Sequence, residues 1–192
     1  GLVSYELQRP VHLFDKEPLD NKQLLEQFKA VTEGEERVVF YDHFGSEDPE
    51  DILQDIRFMV TVLGVGTVLL DHISMLVSGF SDSEERNKLD RLSTKLKMLA
   101  KELGFSLVLV SHVNDEGLTR GSRNISKVAD LWVHLDRNLT HDSPIHRNQT
   151  KLIVKKNRFG SVTGLTDTLT FDPKTFMVHE SDPIREGLDN VS

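Results

Sequence analysis

The chain contains no cysteine in its 192 residues. Disulfides and thiolate metal sites are therefore excluded, and the composition fits a cytosolic setting. It also lacks any apolar run near the ~18 residues that a membrane span needs, so no membrane partner is expected. The opening "GLVSYELQRP" has neither the basic start nor the apolar stretch of a secretory leader. Net positive charge is missing as well: the formal charge is −8. A protein that coats nucleic acid with its whole surface is usually basic, so that role is disfavoured. There is no internal repeat and no low-complexity segment.

What is present looks globular. A hydrophobic fraction of 38% and a charged fraction of 28% suit a folded chain, and the length suits one domain with a real core. The charge is unevenly spread. Basic residues gather in 86–101, 119–127 and 151–158, and acidic ones in 33–36, 46–51 and the tail. An acidic body with local basic patches is compatible with nucleic acid held in one confined place.

Periodicity gives the elements. "VHLF" (11–14) reads as a short strand. Residues 20–31 place Leu24, Leu25, Phe28 and Val31 at helical spacing behind an Asp20 N-cap. A strand is expected over 37–42. A helix is expected over 47–64, with Pro49 near its start and Gly64 at its stop. "TVLLD" (67–71) is a strand. Residues 81–104 form a long amphipathic helix with Leu89, Leu92, Leu96 and Leu99 as its apolar stripe and Gly104 as its end. The strand "FSLVLVSH" (105–112), a short helix near 122–129 and the strand "LWVHLD" (131–136) follow, then a polar loop over 137–149. "KLIVKKNR" (151–158) is a strand, and 165–180 is a hairpin turning at Asp172-Pro173-Lys174. Strands alternating with helices, with continuous apolar runs at the centre, predict an α/β fold whose parallel sheet is covered on both faces. The sheet becomes mixed toward the C-terminus. Residues 181–192 read as a flexible acidic tail.

In open α/β sheets, ligands bind beyond the carboxyl ends of the strands. Asp71, Ser111 and His112 lie at such ends. An Asp after four apolar residues has the pattern of a Walker-B carboxylate, which holds Mg²⁺ against a triphosphate. Such an Asp also serves turns and caps, and the pattern alone does not choose between the roles. His112 has the chemistry to donate to a terminal phosphate, or simply to fill a polar loop. Arg158 closes a strand before a glycine-containing turn, a placement suited to stabilising charge on a transferred phosphoryl group. Lys156 shares its strand face; a solvent-facing charge on an edge strand is the plainer reading.

Five segments in order and spacing, "YDHFG" (41–45), "TVLLDHISMLVSG" (67–79), 85–114, 120–138 and "VKKNRFGSVTG" (154–164), resemble the helicase domain of phage primase-helicases of the T-odd type. Twinkle and the DnaB helicases are more distant relatives. The match covers most of 37–180. The resemblance implies a RecA-like three-layer sandwich with a mostly parallel central sheet and antiparallel C-terminal strands, occupying residues 1–180. It implies a ring-shaped, homo-hexameric replicative motor that couples NTP hydrolysis to translocation on single-stranded DNA and duplex unwinding. The cofactors would be Mg²⁺ and ATP or dTTP, and the setting the bacterial cytoplasm, with a phage gene as one source. Asp71 looks like the Walker-B metal carboxylate and His112 like the phosphate-sensing His. Lys156 and Arg158 match the basic pair that reaches the neighbouring subunit's nucleotide, with Arg158 as the arginine finger. Asn114, Arg120, Gly121 and Arg123 occupy the place of the DNA-contacting channel loop.

There are departures. No GxxxxGK[ST] occurs in the chain. The resemblance places that loop, the first sheet strand and a catalytic Glu upstream of residue 1. The expectation is therefore the C-terminal part of a helicase domain, inactive and without tightly bound cofactor alone, and a monomer or weak oligomer in isolation. The channel loop carries Asp115 and Glu116 where basic residues are usual. Lys127 stands where the family commonly has Gln; either it meets a phosphate by charge or the position has lost its nucleotide role. A non-catalytic RecA-like module that assembles with or regulates a helicase is the alternative. A recombinase- or clock-type ATPase is a third reading, against which the "KNRFGSVTG" strand end speaks.

Overall fold

The computed structural model describes residues 4, 7, 20–32, 38–41, 49–77, 81–113 and 123–181. The strand expected at 11–14, the channel-loop residues Asn114, Arg120 and Gly121, and the tail beyond residue 181 lie outside the described residues. The chain divides into two compact units, one of residues 42–132 and one of residues 1–41 with 133–192.

The continuous unit is built on helices that cap themselves. Helix α2 (Pro49–Thr61) starts on the expected proline, with Glu50 and Asp51 in its first turn, where the helix dipole favours acid. Past its end Gly64 takes φ 71°, the left-handed conformation glycine tolerates best. Strand β1 (Thr67–Leu70) follows, then a 3₁₀ segment (Ile73–Val77). Helix α3 (Asp82–Leu103) begins in a capping box, where the Glu84 carboxylate accepts from both the N–H and the hydroxyl of Ser81. It ends at Gly104, whose φ of 74° makes the left-handed C-cap. Strand β2 (Ser106–Leu109) pairs with β1 in parallel, Thr67 opposite Ser106 through Leu70 opposite Leu109. Helix α4 (Arg123–Val128) completes the unit.

All four leucines of the α3 stripe are buried, together with Ile52, Ile56, Ile73, Leu76, Val77, Phe105 and Ile125, in one apolar cluster. Val68, Leu70, Leu107 and Leu109 pack against it from β1 and β2. The side chains on the opposite face of this strand pair are less buried. Leu69 is 67% and Val108 46% exposed. An apolar run reveals that a strand has a hydrophobic face; it does not say which neighbour lies on each side.

Outer bonds fasten the helices to one another. Arg57 on α2 holds Glu102 on α3 with two bonds at 2.8 and 3.1 Å, and Lys95 pairs with Glu50. The Asn124 amide on α4 donates to the Asp90 carbonyl at 2.9 Å and contacts Ser93 Oγ and Thr94 Oγ1 at 3.1 and 2.9 Å. Lys97 pairs with Asp130 just beyond α4.

The other unit contains helix α1 (Asn21–Val31), whose Asp20 carboxylate caps the N–H groups of Lys22 and Gln23 at 2.7 and 2.8 Å. Residues 38–41, part of an expected strand, belong to no regular element. A strand persists only when its backbone groups find a ladder, and no described strand pairs with them. A four-stranded sheet runs in the order β3-β4-β5-β6, with β3 (Leu131–Asp136) crossing the unit boundary. The loop between β3 and β4 holds a one-turn helix, α5 (Pro144–Arg147). Strand β4 (Gln149–Asn157) pairs antiparallel with β5 (Gly164–Asp172), with a register irregularity at Leu152/Ile153, and β5 pairs antiparallel with β6 (Met177–Glu180). The hairpin turns where expected. Asp172 accepts from the Lys174 N–H and the Thr175 hydroxyl, both at 2.9 Å, and these bonds hold its carboxyl below the usual range. The described ladders thus make a parallel pair and a separate sheet with antiparallel strands.

Candidate nucleotide site at the strand ends

The two polar strand ends are set side by side by backbone bonds that continue past the ladder. Val110 N–H donates to the Leu70 carbonyl at 2.9 Å, and Ile73 N–H returns to the Val110 carbonyl at 3.1 Å. Asp71 and His72, joined by a cis peptide, therefore lie between two backbone bonds to Val110, the residue before Ser111 and His112. The anchor is Ile73, fully buried two residues after Asp71. Asp71 itself is exposed, as is His112, so both side chains are accessible. The His72 and His112 rings meet at 4.4 Å between centroids and 71° between planes. His72 Nδ1 lies 2.6 Å from Ser74 Oγ.

Among the described residues, no group of three or more His, Asp or Glu side chains is placed to hold a metal by itself. An accessible single carboxylate is still a fit for Mg²⁺. That ion keeps several waters and takes one or two carboxylates plus substrate phosphates, rather than an all-protein cage.

Lys156 and Arg158 belong to the other unit. Lys156 is half-buried near the end of β4, and Arg158 is exposed just beyond it. The turn that follows is held by Asn157, whose Oδ1 accepts the Phe159 N–H at 3.2 Å and whose Nδ2 donates to the Val162 carbonyl at 3.4 Å. Gly160 fits closely here, since a Cβ on it would meet Asn157 Nδ2 at 2.9 Å. Lys127 is exposed in the last turn of α4, and Arg123 opens that helix. Each group stands within its own unit: Asp71, His112, Arg123 and Lys127 in one, Lys156 and Arg158 in the other. His72 went without a role in the sequence reading. A His follows each strand's polar residue in the sequence, but only the folded geometry shows that the rings meet.

The architecture is a RecA-like α/β fold with ligand-type residues at the ends of its parallel strands. Two solved structures share it. A KaiC-like protein from Pyrococcus horikoshii OT3 superposes with a TM-score of 0.61 at 17% identity, covering 81% of this chain and 65% of that one. A DnaB-like replicative helicase, solved in a study of its interactions with primase, gives 0.67 at 18% identity, covering 92% and 46%. The chain belongs to the family of the DnaB-like helicase C-terminal domain, whose model matches residues 4–179. It is 32% identical over 156 residues to the DNA helicase/primase of Enterobacteria phage T3, covering 74% of this chain and 27% of that protein. It is 24% identical over 141 residues to a probable plasmid replicative DNA helicase of Chlamydia psittaci, covering 68% and 30%. The chain thus spans less than a third of the length of these curated relatives. Among the described residues, no helix is long and apolar enough to cross a membrane.

Proposed function

We propose that the chain is part of the motor of a replicative, ring-forming DNA helicase, the segment that meets the metal and terminal phosphate of a bound NTP. The observation that carries this is the pair of backbone bonds to Val110 on either side of Asp71, just before Ser111 and His112, in a chain of the DnaB-like family. Asp71 would hold Mg²⁺, which neutralises triphosphate charge when bound. His112 would donate to the outermost phosphate, with Lys127 adding charge. Lys156 and Arg158 would reach the nucleotide of a neighbouring subunit in a homo-hexamer, where a guanidinium stabilises developing charge on the transferred group. The segment with Asn114, Arg120, Gly121 and Arg123 would follow single-stranded DNA through its phosphates. The nucleotide would be ATP or dTTP and the compartment the cytoplasm. Residues 1–180 would form the partial NTPase domain, with 181–192 as its tail.

Because the chain holds no GxxxxGK[ST], it should not turn over NTP alone. Steady dTTP or ATP hydrolysis that disappears in Asp71→Ala would overturn this incomplete-site reading. The DNA role is tested by titrating a fluorescent oligo-dT at several salt concentrations. Arg120→Ala should weaken binding and flatten the salt slope by about 0.7 for a lost phosphate contact. An unchanged slope would remove the segment from the DNA path. A second reading is a regulatory module that supplies Arg158 in trans. Stimulation of an intact relative's hydrolysis by this chain, lost in Arg158→Ala, would select it.

A further inference from the structure

His72 follows the carboxylate assigned to the metal, yet its surroundings point elsewhere. Its Nδ1 is engaged by Ser74 Oγ at 2.6 Å, and no three-ligand group includes it among the described residues. Its ring stands edge-to-face with that of His112, 4.4 Å between centroids. The two rings are unequally held. His72 is half-buried and is followed at once by buried Ile73, with Leu76 and Val77 buried further along the same 3₁₀ segment. His112 is exposed, between Val110, whose backbone bonds to Leu70 and Ile73, and the bridge residue Val113. The half-buried His72 ring therefore abuts the more exposed His112 ring.

We propose that His72 is a positioning residue for His112: packed edge-to-face against it, His72 sets the ring plane of His112 and with it the direction in which His112 presents its N–H to a phosphate. The proposal deepens the reading of His112 as the phosphate contact and rests on it. The edge-to-face geometry is the arrangement aromatic rings prefer, because the positive edge of one meets the negative face of the other. A phenyl ring at position 72 would keep that packing and lose only the Ser74 bond. Alanine would lose both.

The test uses the full chain with ¹³C,¹⁵N-labelled histidine, His112 being assigned through His112→Gln. Three-bond couplings report the His112 χ1, and ring resonances report its neighbour. In the wild type, His112 should hold one rotamer and respond to magnesium pyrophosphate. His72→Ala should average the couplings, move the ring resonances and weaken the pyrophosphate response about 2- to 10-fold. His72→Phe should restore a single rotamer and most of the response. A His112 that keeps its rotamer in His72→Ala, or that averages equally in His72→Phe, overturns the positioning role. A wild-type His112 that is ordered yet indifferent to magnesium pyrophosphate overturns the phosphate reading instead. Circular dichroism of each variant separates these outcomes from loss of fold, and His72→Phe keeps the test open if His72→Ala unfolds.

Discussion

Ile73 is the bolt of the strand-end site, and its removal has a calculable cost. Its side chain is fully buried in the cluster around α3, and its N–H ties the Asp71 segment to Val110. Ile73→Val deletes one carbon, worth about 0.8 kcal/mol of transfer with little cavity, so about 1 kcal/mol is expected. Ile73→Ala deletes three. Transfer then costs about 2.4 kcal/mol and incomplete collapse adds about 1, giving about 3.5 kcal/mol. Neither change touches the backbone bond, so the difference isolates packing. Urea unfolding can be followed by Trp132, the chain's one tryptophan, which lies in the same unit as Ile73. With a slope of about 1–3 kcal/mol per molar urea, the Ala midpoint should fall by roughly 1–3 M and the Val midpoint by a third of that. Equal shifts for the two variants, or less than about 1 kcal/mol for Ala, would refute the idea that this core fixes the strand ends.

Two further expectations concern α3. Its capping box depends on an ionised Glu84, whose pKa is lowered from 4.5, chiefly by the Ser81 hydroxyl and then by the Ser81 N–H. A depressed carboxylate contributes stability above its unfolded value and loses it as pH falls through the folded one. Ser81→Ala should therefore lower the melting temperature more at pH 7 than at pH 3; an equal effect at both would count against the box. At the other end, a Cβ on Gly104 meets nothing within 4 Å, so Gly104→Ala tests backbone conformation alone. It should cost about 1–2 kcal/mol in thermal or urea unfolding, and Gly104→Asn less; no loss in Gly104→Ala would contradict the left-handed cap.

The elements that were legible in the sequence carry their signals locally. Asp20 caps α1 through its own side chain, Pro49 and Gly64 bracket α2, and the leucine stripe of α3 becomes the core. What was not legible depends on neighbours. Residues 38–41 have strand composition but no described ladder, and α5 hides in a stretch whose polarity read as loop. The same division runs through the site. Asp71 and His112 stood out because each ends an apolar run. That His72 touches His112 depends on two strand ends about forty residues apart being brought together, which leaves no mark in either segment.

Helix α3 has a mechanical consequence. It is 22 residues long, so it spans about 33 Å. One stretch of it, from Asp90 to Lys97, grips α4 and its exit through Asn124 and Asp130. Lys95 and Glu102 grip α2. The bonds are modest singly, yet they alternate along one stiff rod whose inner face is bolted into the core. A pull on α4 is therefore not borne by α4's six residues. The load is shared along α3 with α2 and the packed leucines.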